Sequence, residues 1–121
     1  MNHSAKLYHN PQCSKSRAAL EYLQSTNRAF TIIEYLKTPP STTEVLELCA
    51  KLNTRPLALI RAKDKRFHEL GYTTGGERSH EAWAEILSKN PQLIERPILI
   101  IKGKAAIGRP LENIIALVES C

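Results

Sequence analysis

Residues 5–36, AKLYHNPQCSKSRAALEYLQSTNRAFTIIEYL, contain two strand-like stretches separated by a helix-like one. Residues 5–9 predict a short strand, and residues 14–25 predict a helix because their apolar side chains recur at helical spacing. Residues 29–36 are rich in β-branched and aromatic side chains and predict a second strand. Two strands joined by one helix lie parallel in the same sheet, so this segment predicts a β-α-β unit.

Helical patterns dominate the middle of the chain. Ser41 and Glu44 stand at capping-box spacing ahead of an apolar stripe, which predicts a helix over residues 42–52. A shorter helix is predicted over residues 56–63. Another is predicted over residues 79–89, and it ends before an Asn-Pro pair. This part of the chain therefore supplies helices and no strand.

The last part of the chain returns to strands. Pro97–Ile101 is an apolar run with the length of a strand buried on both faces, residues 105–108 predict a short strand, and Pro110 stands at the start of a final helix. The order predicts one α/β domain over residues 1–121, a thioredoxin-like four-stranded mixed sheet flanked by helices, with a helical insertion over approximately residues 41–92. Ferredoxin-like folds use similar element counts, so the order alone leaves them open.

Composition narrows the classes of partner. The 121 residues carry a net charge of +5, with basic residues scattered singly and aromatic side chains at only 6%. A single-strand nucleic-acid binder interleaves basic and aromatic side chains, so no nucleic-acid partner is expected. No apolar run approaches the roughly 18 residues of a membrane span, and no signal-peptide pattern opens the sequence. We therefore expect a cytoplasmic protein with no membrane partner.

The three cysteines, Cys13, Cys49 and Cys121, include no C-x-x-C pair. This odd count argues against a disulfide framework, and the missing C-x-x-C spacing argues against a structural zinc site. No metal is predicted. Cys49 lies on the apolar stripe of its helix, which predicts a buried and inert thiol. Cys121 is the last residue of the sequence and is expected to be dispensable.

Residues 9–17, HNPQCSKSR, connect the first predicted strand to the first predicted helix. If Cys13 is the N-cap, its sulfur faces the unpaired backbone N–H groups of the first helical turn, those of Ser14, Lys15 and Ser16. Such thiols have pKa values lowered from about 8.5 into roughly the 3.5–7.5 range. The same N–H groups form a nest in which an anionic substrate can dock beside the sulfur.

Basic side chains surround Cys13 in the sequence. Lys15, Arg17 and a protonatable His9 are expected to add to the stabilisation of the thiolate and to attract an anion. The alternative is that Cys13 is only a small residue in a turn and that the ring of His9 packs on the core. The polar and basic surroundings favour the reactive thiol.

Three arginines further along the chain are candidates for anion binding. Arg96 and Arg109 each precede a proline, and an X-Pro bond in a turn beside a reactive cysteine is a candidate for the cis form. Spacing alone does not distinguish Arg61, Arg96 and Arg109 from ordinary surface charge.

Several short stretches, in chain order, match the pattern of a known family. They are Tyr8-His9-Asn10-Pro11 with Cys13 and Ser16-Arg17, Tyr35-Leu36, Pro39-Pro40-Ser41, Leu59-Ile60-Arg61, Glu69-Leu70-Gly71, Arg96-Pro97-Ile98 and Arg109-Pro110. In these stretches the chain resembles the arsenate reductase family of the glutathione- and glutaredoxin-coupled type. The resemblance extends over essentially the whole chain and implies a thioredoxin-like fold with a helical insertion.

The resemblance also implies roles for single residues. Cys13 is the implied nucleophile, His9 tunes its thiolate, and Arg61, Arg96 and Arg109 converge on the oxyanion beside it. The implied reaction reduces arsenate to arsenite through a Cys–arsenic adduct, with glutathione as co-substrate, glutaredoxin as partner and no bound cofactor. An arginine fork matches the geometry of such a tetrahedral oxyanion.

Two other functions remain open. Another glutathione-linked thiol-redox enzyme shares Cys13 but does not need three arginines. A redox-related transcription regulator that binds RNA polymerase uses the same fold, but such proteins commonly carry C-x-x-C, and the third residue after Cys13 is Ser16. Ser14-Lys15 stands where many members of the arsenate reductase family have a small or uncharged pair, so an extra cation here can change the anion preference.

Overall fold

The predicted β-α-β unit is present in the computed structural model. Its elements are β1 (Ala5–His9), α1 (Ser14–Ser25) and β2 (Phe30–Glu34). β1 and β2 pair in parallel, as predicted. β2 is shorter than the predicted 29–36, because the N–H groups of Lys37 and Thr38 both donate to the carbonyl oxygen of Glu34, at 2.9 and 3.0 Å. These bonds close a turn that takes the following residues out of the strand.

The structure describes residues 5–74 and 78–120, which fall into two compact units. The sheet unit comprises the described residues up to Thr38 and those from Arg96 onward, and the helical unit is Pro39–Glu95. Cys121, expected to be dispensable, lies outside the described residues. Within the described ranges, every helix is too short or too polar to cross a lipid bilayer.

The carboxyl-terminal part of the sheet unit completes the sheet. Its elements are β3 (Ile98–Ile101), β4 (Lys104–Ile107) and α5 (Glu112–Glu119). The strand order is β2-β1-β3-β4, with β3 antiparallel to both of its neighbours. This arrangement confirms the predicted four-stranded mixed sheet flanked by helices.

The loop between β3 and β4 has only two residues, Lys102 and Gly103, both with positive φ, at 51° and 76°. Such a loop matches the twist of a β-hairpin and lets Lys104 pair with Ile101. β4 therefore begins one position earlier than the predicted 105–108.

The core of the sheet unit lies where α1 and α5 pack on the same face of the sheet. Leu7 and Leu99 are opposite each other in the register of β1 and β3, and both are fully buried. The buried cluster comprises Ala5, Leu7, Ala19, Leu23, Leu99, Ile101, Ile114, Leu117 and Val118. Removal of this apolar surface from water fixes the helices on the sheet and so fixes the start of α1 at the end of β1.

α5 starts later than the predicted position at Pro110. The N–H group of Asn113 donates to the carbonyl oxygen of Pro110 at 3.1 Å, and that of Ile114 donates to Leu111 at 2.9 Å. These are bonds of a tight turn that precedes the regular helix. The peptide bonds Arg96-Pro97 and Arg109-Pro110 are both cis.

Gly108 connects β4 to this turn through a narrow space. Its N–H group donates to the carbonyl oxygen of Pro97 at 2.8 Å. A Cβ at this position would lie 2.6 Å from Cδ1 of Ile114 and 2.8 Å from Cγ of Pro97. The Gly108 backbone thus lies so close to Ile114 and Pro97 that any Cβ there would force a shift, and Arg109 follows at once.

The helical unit contains α2 (Thr42–Leu52), α3 (Lys65–Glu69) and α4 (His80–Lys89), with 3-10 turns at Pro56–Leu59 and Pro91–Leu93. The capping box predicted for Ser41 and Glu44 is formed, and α2 packs against α4. α3 was not predicted; the Asp64 side chain begins it by accepting the N–H group of Arg66.

The helix predicted over residues 56–63 ends at Leu59, and this prediction was wrong in its second half. Ile60 leaves the helix and forms a β-bridge with Ile94. The N–H group of Arg61 donates to the carbonyl oxygen of Leu93, and that of Glu95 donates to Leu59, both at 2.7 Å. Pairing with a distant segment thus replaces the helical bonds.

Aromatic side chains fill the space beside α4. Phe67 and Trp83 are stacked with ring centroids 6.3 Å apart, and both are buried. The guanidinium of Arg78 lies 5.0 Å from the centroid of Trp83 and 5.3 Å from that of Tyr72. Cation–π contacts of this kind join the segment before α4 to its buried face.

Candidate active site

Cys13 occupies the N-cap position of α1, as predicted, with extended backbone angles of φ −98° and ψ 123°. Its N–H group donates to the carbonyl oxygen of Asn10, and its own carbonyl oxygen accepts the N–H group of Arg17, both at 3.0 Å. The side chain is partly exposed. The thiol therefore lies at the positive end of the helix and is accessible to a substrate.

The pKa of Cys13 is lowered from its ordinary value. Burial on its own raises the pKa, but backbone N–H groups of Ser16 and Lys15 oppose it by bonding to the sulfur. The guanidinium of Arg96 lowers the pKa further through its hydrogen bond and its charge. Of the three N–H groups predicted to face the sulfur, those of Lys15 and Ser16 bond to it and favour the thiolate.

Arg109 also reaches the thiol. Its Nη2 lies 3.6 Å from Sγ of Cys13, and its Nε donates to the carbonyl oxygen of Arg96 at 2.7 Å. Nε of Arg96 is buried and has no hydrogen-bond partner among the residues that the structure describes. Two of the three predicted arginines are therefore brought to Cys13, and they carry donors that a bound anion can use.

Ser16 links the loop before Cys13 to the first turn of α1. Its fully buried Oγ lies 2.6 Å from Nδ1 of His9 and accepts the N–H group of Asn10 at 2.9 Å. Oδ1 of Asn10 in turn accepts the N–H group of Gln12 at 3.0 Å. Sequence reasoning treated Ser16 as an N–H donor and missed this role of its hydroxyl, which no periodic pattern could have indicated.

Burial of His9 opposes the cationic form that the sequence predicted. The residue is buried, with 5% of its surface exposed, and burial is the largest cause that lowers its pKa below 6.5. The Arg17 charge lowers the pKa as well, whereas the Glu34 charge and a hydrogen bond to the Ser16 backbone raise it. A neutral His9 at neutral pH contributes to the site through its hydrogen bond and not through charge.

The exposed residues of the first turn contribute in different ways. Nη1 of Arg17 donates to the carbonyl oxygen of Pro11 at 2.9 Å, so this guanidinium holds the loop. Ser14 and Lys15 are exposed at the start of α1, and Lys15 acts on the thiol through its backbone. We predicted that the side-chain charges of Lys15 and Arg17 stabilise the thiolate. In the structure, the stabilising groups are instead backbone N–H groups and the guanidinium of Arg96.

Arg61 lies in the helical unit. Its Nη1 donates to Oδ2 of Asp64 at 2.9 Å, and its Nε lies 3.6 Å from Oε1 of Glu95. The two carboxylates were not singled out in the sequence. Its expected convergence with the other two arginines stays a prediction.

Cys49 contrasts with Cys13. It is buried on α2, as predicted, and burial raises the pKa of its thiol to about 11. Such a thiol stays protonated and unreactive at neutral pH. Among the described residues, no group of three or more His, Cys, Asp or Glu side chains is placed to hold a metal ion.

Comparison with known proteins identifies the family. The sequence model of the ArsC family matches residues 8–117. This chain belongs to the ArsC family. An arsenate reductase of Neisseria meningitidis is 42% identical over 113 residues, which cover 93% of this chain and 96% of that protein. The uncharacterized protein YfgD of Escherichia coli is 36% identical over 119 residues, covering 98% and 99% of the two chains.

Solved structures of ArsC relatives agree in fold. The structure of an arsenate reductase from Vibrio cholerae superimposes with a TM-score of 0.88 at 36% sequence identity, covering 96% of this chain and 98% of that one. The thioredoxin-like fold predicted from the element order is thereby confirmed. In this ArsC chain, the fold places a thiol of lowered pKa, first-turn N–H groups and two guanidinium groups together, which suits attack on a tetrahedral oxyanion.

Proposed function

We propose that this protein is an arsenate reductase in which Cys13 is the nucleophile. The observation that carries the proposal is the contact between Nη2 of Arg109 and Sγ of Cys13 at 3.6 Å, beside Arg96 and the first turn of α1. An oxyanion that approaches the sulfur meets guanidinium and backbone N–H donors at once. The arsenate reductase of Neisseria meningitidis is 42% identical to this chain over 113 residues, which supports arsenate as that oxyanion.

The first step forms the bond between Cys13 and arsenic. The thiolate attacks As(V), a sulfur–arsenic bond forms, and one arsenic–oxygen bond breaks; the leaving hydroxide takes a proton and departs as water. Arg96 and Arg109 stabilise the negative charge on the remaining oxygens, and Arg61 supplies a further guanidinium. Ser14 and Lys15, at the start of α1, and Ser16, through its N–H group, contribute to anion binding.

The electrons come from external thiols. Glutathione displaces a second oxygen from arsenic, and a glutaredoxin thiolate then attacks the glutathione sulfur. The bond between the glutathione sulfur and arsenic breaks, and its electron pair stays on arsenic, so As(V) becomes As(III). Glutathione and glutaredoxin are thereby joined in one mixed disulfide, and Cys13 stays bound to arsenic. Water releases arsenite and restores Cys13. We place this chemistry in the cytoplasm, where thiols are kept reduced, with neither a bound cofactor nor a nucleic-acid or membrane partner.

A general glutathione-linked reductase, the alternative function, needs fewer groups in the site than an arsenate reductase does. Reduction of a mixed disulfide needs the low-pKa thiol of Cys13 but no guanidinium at the sulfur. The contact of Arg109 with Sγ therefore favours an anionic substrate. A regulator that binds RNA polymerase needs no turnover at all, so an activity measurement separates it from both enzymes.

The deciding experiment is the coupled assay with purified protein, glutathione, glutaredoxin, glutathione reductase and NADPH. We expect arsenate-dependent NADPH consumption that is lost in Cys13→Ser and kept in Cys49→Ala, the matched variant at a buried thiol. A parallel assay uses a glutathione mixed disulfide in place of arsenate. Activity on the disulfide alone rejects the proposal, and activity supported by thioredoxin but not by glutathione rejects its choice of reductant.

A further inference from the structure

The guanidinium of Arg61 is bound unequally by two carboxylates. Nη1 donates to Oδ2 of Asp64 at 2.9 Å, a hydrogen bond of ordinary length. Nε lies 3.6 Å from Oε1 of Glu95, within ion-pair distance but beyond a good hydrogen bond. Among the described residues, Nη2 has no acceptor in either set of contacts. Of the three guanidinium nitrogens, Nη1 is therefore firmly bound, Nε is loosely bound, and Nη2 is open to an acceptor.

These contacts leave only one edge of the guanidinium for a bidentate anion. A guanidinium binds two oxygens either through Nη1 and Nη2 or through Nε and Nη2. Asp64 occupies Nη1 of Arg61 and so blocks the first edge. On the second edge, Glu95 alone stands in the way. An oxyanion that binds Arg61 through two oxygens must therefore displace the carboxylate of Glu95.

The two carboxylates also differ in how firmly they are held. Oδ1 of Asp64 accepts the N–H group of Arg66 at 2.9 Å, so both of its oxygens are engaged. The Glu95 backbone is held by its N–H group, which donates to the carbonyl oxygen of Leu59 at 2.7 Å, but the contact of its carboxylate with Arg61 is long, at 3.6 Å. Its side chain is 32% exposed, which leaves it room to swing into solvent.

We propose that Glu95 is an internal competitor for the oxyanion at Arg61, with Asp64 as the residue that positions the guanidinium. The inference rests on the proposed function, since it assigns an anion to Arg61. The Glu95 carboxylate neutralises the Nε–Nη2 edge in the free protein and gives way when an oxyanion with a matching pair of oxygens arrives. Glu95 thus weakens anion binding at this edge and raises the substrate concentration needed to half-saturate the site.

The two carboxylates predict opposite effects. Glu95→Gln removes the competing charge, so arsenate should bind about two- to fivefold more tightly, as expected for loss of a partly exposed ion pair. Asp64→Asn loosens the guanidinium and should raise the arsenate KM with a smaller change in kcat. The matched control is Glu85→Gln, which removes the same charge from the exposed Glu85–Lys89 pair of the same unit and should leave the KM unchanged.

Binding is measured without turnover by calorimetric titration of inorganic arsenate into Cys13→Ser protein with and without Glu95→Gln, together with circular dichroism to establish folding. In an Arg61→Ala background the Glu95→Gln effect should vanish. Unchanged or weaker binding in Glu95→Gln, or the same gain without Arg61, overturns the inference while leaving the reductase assignment intact. Tighter arsenate binding in a protein that never reduces arsenate supports the inference and rejects the reductase function.

Discussion

Oγ of Ser16 lies 2.6 Å from Nδ1 of His9, and both residues are buried. The bond joins the last residue of β1 to the first turn of α1 and spans the loop that carries Cys13. Ser16 stands at the third position after Cys13, where a second thiol of a C-x-x-C pair would be. The third position after Cys13 therefore holds the loop through its hydroxyl, and it carries no resolving thiol.

Ser16→Ala removes the hydroxyl from this buried link. The ring of His9 and the N–H group of Asn10 then lose a partner that water does not replace, which should lower the free energy of unfolding by about 1–3 kcal/mol. Denaturant unfolding measures the loss. Ser14→Ala, at an exposed position of the same turn, should change stability by less than about 0.5 kcal/mol. Equal losses in the two variants would show that the link contributes nothing.

Stability should depend on pH through His9. Its pKa in the folded protein is below the 6.5 of the unfolded chain, so the unfolded chain binds the proton more readily. The contribution of His9 is complete above about pH 6.5 and is lost as the pH falls toward the lowered pKa. His9→Gln should flatten this part of the curve of unfolding free energy against pH. The exposed His80→Gln is the comparison variant, and an equal flattening in both variants would contradict the role of His9.

The thiol of Cys13 should titrate below a free cysteine. Because its pKa is lowered, the reactive thiolate persists as the pH falls beneath about 8.5 and disappears only through the lowered pKa. The rate of iodoacetamide alkylation against pH, read at Cys13 by mass spectrometry, gives the midpoint. Arg96→Ala should move the midpoint upward, because it removes a hydrogen bond and a positive charge from the sulfur. A midpoint at or above that of free cysteine contradicts the proposed chemistry.

Gly108→Ala should disturb both stability and substrate binding. The added Cβ meets Ile114 at 2.6 Å and Pro97 at 2.8 Å, an overlap that costs about 1–3 kcal/mol. The shift also moves the adjoining Arg109, so the KM for arsenate should rise. Gly103→Ala meets nothing within 4 Å but has φ +76, so it should cost about 1 kcal/mol and leave the KM unchanged. A change in KM in both variants would attribute the effect to general destabilisation.

Turnover should require one cysteine of this chain. The double variant Cys49→Ala, Cys121→Ser should keep glutaredoxin-coupled activity, with a stability loss of about 1 kcal/mol from the buried position, while Cys13→Ser should have none. Peptide mapping after arsenate treatment checks for disulfides within the chain. An internal disulfide, or an inactive but folded double variant, would indicate a mechanism with several cysteines of the protein and thioredoxin as reductant.

Local sequence patterns predicted the fold because they are the patterns that burial enforces. The apolar run of β3, the capping box of α2 and the N-cap position of Cys13 depend on neighbours in sequence, and all three are found in the structure. The second half of the helix predicted over residues 56–63 failed because the bridge between Ile60 and Ile94 is a pairing with a distant segment. Propensity carries no information about such a partner.

The chemistry of the site was less predictable than its location. That His9 is basic could be read from the sequence, but the lowering of its pKa depends on burial, which is set by the completed fold. The carboxylates on Arg61 illustrate the same limit, since Glu95 reaches it through the pairing of two distant segments. Charged residues in a sequence give the available charges, and the fold decides which of them meet.

Trp83 is the chain's single tryptophan and is buried in the helical unit against Phe67, whereas Cys13 belongs to the sheet unit. Selectively excited tryptophan fluorescence therefore records the state of the helical unit, and alkylation of Cys13 records the state of the other. The molecule carries a native optical reporter in one unit and a native chemical reporter in the other. Whether the inserted helices and the sheet melt in one cooperative transition can thus be followed without any added label.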